Sequence, residues 1–456
     1  MDGLSYHLKR TLVLGLPLVG SQLAQIMVGL TDTIMLGRYS VDALAAGTLG
    51  NSMFFLFFIV GAGFAFAVMP LVAQAVARLD DTRTRRVTRM GLWLSGALAL
   101  GMLPLFFFSG PLLSAAGQGP QVATDTQAYL RIAGFGMIPA LLTATFRSHL
   151  SAMEHTRIVL LATLAAVVLN AGLNWLLIFG NWGAPELGVR GAAIASVAVH
   201  SLTAVVLAIY ATRAPGMGRF ELLRNIHRPD WPAMAEIFRL GWPISLTHLA
   251  ESSLFAATAL MMGWLGTAAL AAHGISITIA AATFMVHVGL SAAATVRVGQ
   301  AWGRGDATGL KRAAIAAMIL SAAAVVVNTA VYLLAGEWLV RRFLDTSDPE
   351  AGAILALGVV LLRVAALFQL VDAAQVMALG LLRGVQDTRR PMIYAIIAYW
   401  ALGLPVSYGL GFGLDWGPVG LWMGLVIGLA AAGVALTGRF VRIVDRADME
   451  PVTSRS

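Results

Sequence analysis

Residues 14–46 read LGLPLVGSQLAQIMVGLTDTIMLGRYSVDALAA, and residues 240–272 read LGWPISLTHLAESSLFAATALMMGWLGTAALAA. The two stretches are versions of one pattern, related by a shift of 226 residues: LGLP meets LGWP, Gly37 meets Gly263, and ALAA at 43–46 meets ALAA at 269–272. The register holds without a gap through Gln74, Ala75, Arg78 and Asp80, which meet Gln300, Ala301, Arg304 and Asp306. Farther on, EHTR at 154–157 resembles QDTR at 386–389 and GVRG at 188–191 resembles GPVG at 417–420, at slightly different offsets. The chain is therefore an internal duplication.

The repeated unit is a membrane unit. The chain is 58% hydrophobic and 12% charged, where a soluble domain is about a quarter charged. Apolar blocks of roughly 20 residues follow one another along its length, which matches the bilayer core at about 1.5 Å per helical residue. Backbone groups in lipid must be paired internally, which requires helices here because barrel-like alternation is absent. The pattern predicts twelve spans, at 12–36, 44–77, 90–110, 126–150, 157–180, 189–212, 236–264, 269–302, 311–336, 352–381, 391–413 and 418–440. The start, MDGLSYHLKR, has no small-residue cleavage site, so the first span is expected to be retained. The absence of cysteine excludes disulfides and thiol chemistry.

The basic residues orient the spans. With the N-terminus inside, Lys9, Arg10, Arg78, Arg83, Arg85, Arg86, Arg89, Arg147, Arg157, the arginines of the central linker, Arg304, Lys311, Arg312, Arg383, Arg389 and Arg390 fall on the cytoplasmic side, and Arg439, Arg442, Arg446 and Arg455 end the chain there. Only Arg38, Arg190, Arg341 and Arg342 fall outside. This is the positive-inside bias for an even helix count with both termini cytoplasmic. It accounts for the net charge of +8 without nucleic acid. Six helices per half put both halves in the same orientation, the parallel-repeat case. The expected organisation is an N-terminal lobe at 1–215, a cytoplasmic linker at 216–235, a C-terminal lobe at 236–445 and a tail at 446–456. Pro17 and Pro243 occupy matching places, as a fixed bend or as a hinge.

Three acids lie deep in the spans: Asp32 in helix 1, Glu251 in helix 7 and Asp372 in helix 10. A central carboxylate costs roughly 2.5–3.5 kcal/mol on insertion scales, which marks it for function. Gln369 and Gln375 flank Asp372 at three residues on either side, and His248 precedes Glu251 by three. Asn170 and Asn174 share a face of helix 5, as ion ligands or as interhelical glue. Carboxylates with amide oxygens suit a hard cation such as Na⁺, expected at Glu251 and Asp372, and a carboxylate alone can carry H⁺. In the repeat register Glu251 meets Gln25, a further candidate for the polar network, and Asp32 meets Thr258, so the lobes differ in their ionisable groups. His273 and His287 are candidate proton relays, and His200 is expected to pack locally. Arg297 is expected to snorkel to the interface, and Arg363 to pair with an acid or face the outer interface.

Taken together, GLTDTIMLG, LNWLLIFG with GAPELGVRGAA, IFRLGWPI, HLAESSLF, VRVGQAWGRGD and VDAAQVMALGLLRG resemble the multidrug and toxic compound extrusion (MATE) family in its bacterial NorM-like branch, over essentially the whole chain. The resemblance implies twelve helices in two lobes arranged as a V, and export of organic cations such as drugs and dyes in exchange for Na⁺, with H⁺ as the alternative. It implies that Asp32, Glu251 and Asp372 are the essential acids and that Asn170 and Asn174 support the first. Phe368, where some relatives carry Tyr, and Met261 become candidate substrate-lining residues. The expected setting is a bacterial inner membrane, with the protein acting as a monomer, without a cofactor and not as an enzyme. Two alternatives are a lipid-linked precursor flippase and an intramembrane enzyme. Three deep acids disfavour the anionic substrates of the first; no HExxH, GxSxG or aspartate-rich motif supports the second, and no GxxxxGK[ST] supports ATP use.

Overall fold

A computed structural model describes residues 3–115, 117–345 and 349–449; the tail from 450, with Arg455, lies outside the described residues. Apolar runs form twelve long helices of 24 to 38 residues among the described residues. They are α1 Leu4–Tyr39, α2 Val41–Ala77, α3 Asp81–Phe107, α4 Pro120–Ala152, α5 Thr156–Phe179 and α6 Val189–Arg213. The second half follows as α7 Trp231–Trp264, α8 Thr267–Arg304, α9 Ala307–Arg341, α10 Ala351–Gly384, α11 Arg389–Gly413 and α12 Gly417–Met449. No strand occurs among the described residues. Eleven of the twelve are apolar enough over 18 residues to cross a membrane on composition alone. The exception, α7, is 34 residues long and carries Thr247, His248, Glu251, Ser252 and Ser253 mid-helix. Its deficit in hydropathy is the same set of polar residues that marks it for function.

The duplication reaches into the turns. Asp80 caps α3 by accepting from the Arg83 amide at 2.8 Å, and its repeat counterpart Asp306 caps α9 by accepting from the Gly309 amide at 2.7 Å. The residue before each cap is left-handed, Leu79 at φ 59° and Gly305 at φ 67°. Glu154 and Gln386, the first residues of EHTR and QDTR, are both left-handed at φ 62°. The recurring sequence motifs are thus turn and capping chemistry.

The chain forms two compact units, Gly20–Ser245 and Met1–Val19 with Leu246–Ser456. The cuts fall two residues after Pro17 and two after Pro243, inside α1 and α7, and not in the linker. Glycine explains both. In the first unit Gly63 of α2 faces Ser245 of α7 so closely that a Cβ would stand 2.5 Å from the Ser245 nitrogen. In the second unit its repeat counterpart Gly289 of α8 faces Val19 of α1, where a Cβ would stand 2.6 Å from the Val19 nitrogen and Cα. The first turns of α1 therefore pack on α8, and the first turns of α7 pack on α2.

The linker also belongs to the first unit. Arg83 pairs with Glu236 at 2.7 Å, Arg85 with Glu221 at 3.1 Å, and Arg86 forks onto Asp230. The Trp93 indole donates to the Ile226 carbonyl at 2.7 Å. Arginines that read as loop charge thus tie the linker to α3. The Arg86 guanidinium holds the Asp230 carboxyl below the usual carboxylate range.

Candidate functional site

In the first unit, α5 carries Asn170 and Asn174 one turn apart, so both amides point the same way. Both are fully buried and aim at Asp32 of α1. The Asp32 Oδ1 accepts from Asn170 Nδ2 at 3.0 Å and Asn174 Nδ2 at 2.5 Å, and the two asparagines bond to each other at 3.3 Å. Ser196 of α6 lies 3.5 Å from the other oxygen. Tyr129 of α4, buried beside Asp32 and bonded to Ser196, completes the surround; its ring occupies room that Gly50 leaves open. Asn174 Oδ1 is buried without a partner. The carboxylate is thus held by neutral donors, with no arginine or lysine upon it among the described residues. Ser196 and Tyr129 escaped the sequence reading because nothing in an isolated serine or tyrosine indicates which helix it will face.

Gln25 does not join this cluster. It sits two turns earlier on α1, where it accepts from Arg147 of α4 at 2.8 Å. Arg147, expected on the cytoplasmic side, lies five residues before the end of α4.

In the second unit, α7 and α10 bring Glu251, Asp372, Gln369, Gln375 and His248 together. Gln375 Nε2 donates to Glu251 Oε1 at 3.5 Å, and His248 Nδ1 lies 3.8 Å from Glu251 Oε2. Arg383 of α10 reaches His248 Nε2 at 3.1 Å. An arginine only donates, so Nε2 accepts and the imidazole proton sits on Nδ1, towards Glu251. Gln369 Oε1 lies 3.1 Å from the Thr283 hydroxyl of α8 and 3.3 Å from the Tyr332 hydroxyl of α9, and those two hydroxyls are also in contact, so their two protons are shared among three contacts. Asp372 is 2% exposed, and its Oδ1 has no partner; Gln375 Oε1 and the Tyr399 hydroxyl of α11 are likewise buried and unpaired. Buried polar atoms are normally satisfied, so these three oxygens, one of them on Asp372 itself, leave hydrogen-bonding capacity unmet at this cluster.

The remaining candidates are placed elsewhere. Phe368 packs between Phe255 and Trp422, and Met261 is buried in the same apolar core. His273 Nδ1 accepts from the Trp422 indole at 3.2 Å, and His287 Nδ1 meets Ser321 at 2.9 Å. His200 stacks on Phe54. Arg297 does not reach an interface by snorkelling: it is 6% exposed, with His7 Nδ1 at 3.4 Å and the Tyr6 ring alongside, because the first turns of α1 cover α8 there. Arg363 is exposed and pairs with no acid among the described residues.

A duplicated bundle of membrane-length helices with a polar acid cluster in each unit defines a polytopic membrane transporter by class, and comparison with known proteins gives the family. The MatE family profile matches residues 17–176 and 243–409, two segments that open on Pro17 and Pro243. The chain belongs to the MatE family, whose members are transporters and not enzymes. It is 44% identical over 450 residues to the probable multidrug resistance protein NorM of Rhizobium meliloti, covering 98% of this chain and 96% of that one. It is 43% identical over 440 residues to the protein of the same name from Agrobacterium fabrum, covering 96% and 95%. The fold matches the crystal structure of the eukaryotic MATE transporter AtDTX14 at a TM-score of 0.84 and 19% identity, covering 98% of this chain and 99% of that one. It matches a MATE protein crystallised in the bent conformation at a TM-score of 0.86 and 19% identity, with the same coverage.

Proposed function

We propose that the protein is a secondary active multidrug exporter that exchanges organic cations for Na⁺ or H⁺ by alternating access. The observation that carries this is buried Asp372, in electrostatic range of Glu251, beside the unpartnered oxygens of Gln375 and Tyr399. Two buried carboxylates in electrostatic range repel, and a bound Na⁺ or a proton removes that repulsion. The oxygen donors suit Na⁺, and a proton on either acid would serve as well. Asp32, held by Asn170 and Asn174, is a second carboxylate for the coupling ion or for a cationic substrate. The NorM relatives, by their names, support drugs as the cargo. The distribution of basic residues supports a bacterial cytoplasmic membrane with both termini inside. Nothing in the reading requires more than one copy. One charge moving through 100 mV supplies about 2.3 kcal/mol, roughly a fifty-fold gradient.

The test is efflux of a fluorescent cation from proteoliposomes under imposed Na⁺ or H⁺ gradients. Wild-type protein should respond to at least one gradient, and Asp32→Asn, Glu251→Gln and Asp372→Asn should each lose coupled efflux. Transport by all three at the wild-type rate removes the ion-site assignment, and indifference of the wild type to both gradients removes antiport.

A further inference from the structure

The two halves build the same polar cluster with one charge missing from the first. In the second unit, Arg383 of the fourth repeat helix reaches His248 of α7, with Glu251 in electrostatic range. In the first unit, Arg147 of the matching helix α4 donates to Gln22 Oε1 at 2.9 Å, Gln25 Oε1 at 2.8 Å and Ser21 Oγ at 3.3 Å on α1. Shifted by 226 residues, Gln22 and Gln25 are His248 and Glu251. The arginines differ by one helical turn but address the same two positions.

The difference is the counter-charge. Where the second unit places the Glu251 carboxylate, the first places the Gln25 amide. Among the described residues Arg147 meets these neutral oxygens and no carboxylate. A half-buried guanidinium near a helix end is ordinarily paired with an anion, and this one is not. Gln25 itself is exposed, so a ligand can reach the cluster.

We infer that Arg147, with Gln22 and Gln25, forms an anion-receiving subsite for a carboxylate- or phosphate-type group that the chain does not supply. Its two terminal nitrogens donate to separate neutral side chains of α1, and a carboxylate that displaced them would take both donors in the two-point mode. Asp32 lies seven residues beyond Gln25 on the same face of α1, about 10 Å along the helix. A ligand bearing both charges would find a partner for each on one helix. Resting on the export reading, the transported zwitterion supplies the anion; an anionic lipid headgroup offers the same chemistry from another source.

Binding separates this inference from export. A rhodamine free acid, which is zwitterionic, and its methyl ester, which is only cationic, are titrated against purified full-length protein by fluorescence anisotropy. Arg147→Gln and Gln25→Glu should each weaken the free acid about tenfold and leave the ester no weaker than twofold. Arg147→Lys should fall between. Gln25→Glu supplies the internal anion found in the other half, and it carries the test if Arg147→Gln does not fold. A monodisperse peak and a cooperative melt show that a variant is folded. Equal loss of both dyes in folded variants, or no loss of the free acid, overturns the subsite unless the lipid arm responds. In that arm, nanodiscs with phosphatidylglycerol are compared with phosphatidylcholine alone. Thermal stabilisation by phosphatidylglycerol that Arg147→Gln abolishes assigns the anion to a lipid phosphate; its absence together with equal dye binding discards the subsite. If the wild type binds the acid selectively yet exports neither dye, the export reading fails and the subsite stands.

Discussion

Gly63→Ala places one methyl group where α7 crosses α2. The new Cβ would stand 2.5 Å from the Ser245 nitrogen and 2.9 Å from its Cα. Ordinary contact begins near 3.4 Å, so the backbones must separate by nearly 1 Å. Both atoms are main chain, so no rotamer change relieves the clash. The separation also stretches the bond from Ser245 Oγ to the Val60 carbonyl, now 2.7 Å. Overpacking costs about 1–3 kcal/mol and a lost buried hydrogen bond about 1 kcal/mol, so the variant should lose roughly 2–4 kcal/mol. Tryptophan-fluorescence melting in detergent should show a fall of several degrees. Two controls isolate the cause. Gly29→Ala, with nothing within 4 Å of the new methyl, should melt like wild type. Gly63→Ala combined with Ser245→Gly removes the hydroxyl but keeps the main-chain clash, so it should not recover. A Gly63→Ala melting point within a degree of wild type, or full recovery in the double variant, would refute the backbone approach.

Further expectations follow from the turns, the linker and the second unit. Gly289→Ala should destabilise by about 1–3 kcal/mol through Val19, less than Gly63→Ala because no side-chain hydrogen bond accompanies that contact; the same melts compare them. Leu79 is left-handed and exposed, and Leu79→Gly should raise stability by about 1 kcal/mol, since Gly305 already holds the equivalent turn. Asp80→Ala and Asp306→Ala should each cost roughly 0.5–2 kcal/mol, and together the sum, because the caps lie in different units. Asp230 is a carboxyl held low by Arg86, so its contribution to docking the linker is present above about pH 4 and fades as pH falls below that value. Hydrogen exchange across 221–230, corrected for intrinsic rates, should quicken on acidification, and Asp230→Asn should flatten that dependence.

Much of the fold was legible because a membrane imposes its period directly on the sequence. The twelve spans read from apolar run length agree with the helices to within a few residues at most ends, apart from helices that continue past the apolar run, as α1 and α3 do. The 226-residue shift located Asp80 and Asp306, and the structure shows these to be caps. The acids were legible because a carboxylate in a spanning run is rare, and the asparagines because a spacing of four places two amides on one face.

Charge, run length and period are properties of one helix at a time, and they determined the class of protein, the number of spans and the residues that merit suspicion. Which helix meets which depends on close approach between elements distant in sequence. A glycine at 63 or 289 says nothing of Ser245 or Val19 until the helices are packed, so only the tertiary structure set the cuts within α1 and α7. For the same reason it alone assigned Ser196 and Tyr129 to Asp32, placed Gln25 against Arg147, and buried Arg297 beneath the first turns of α1.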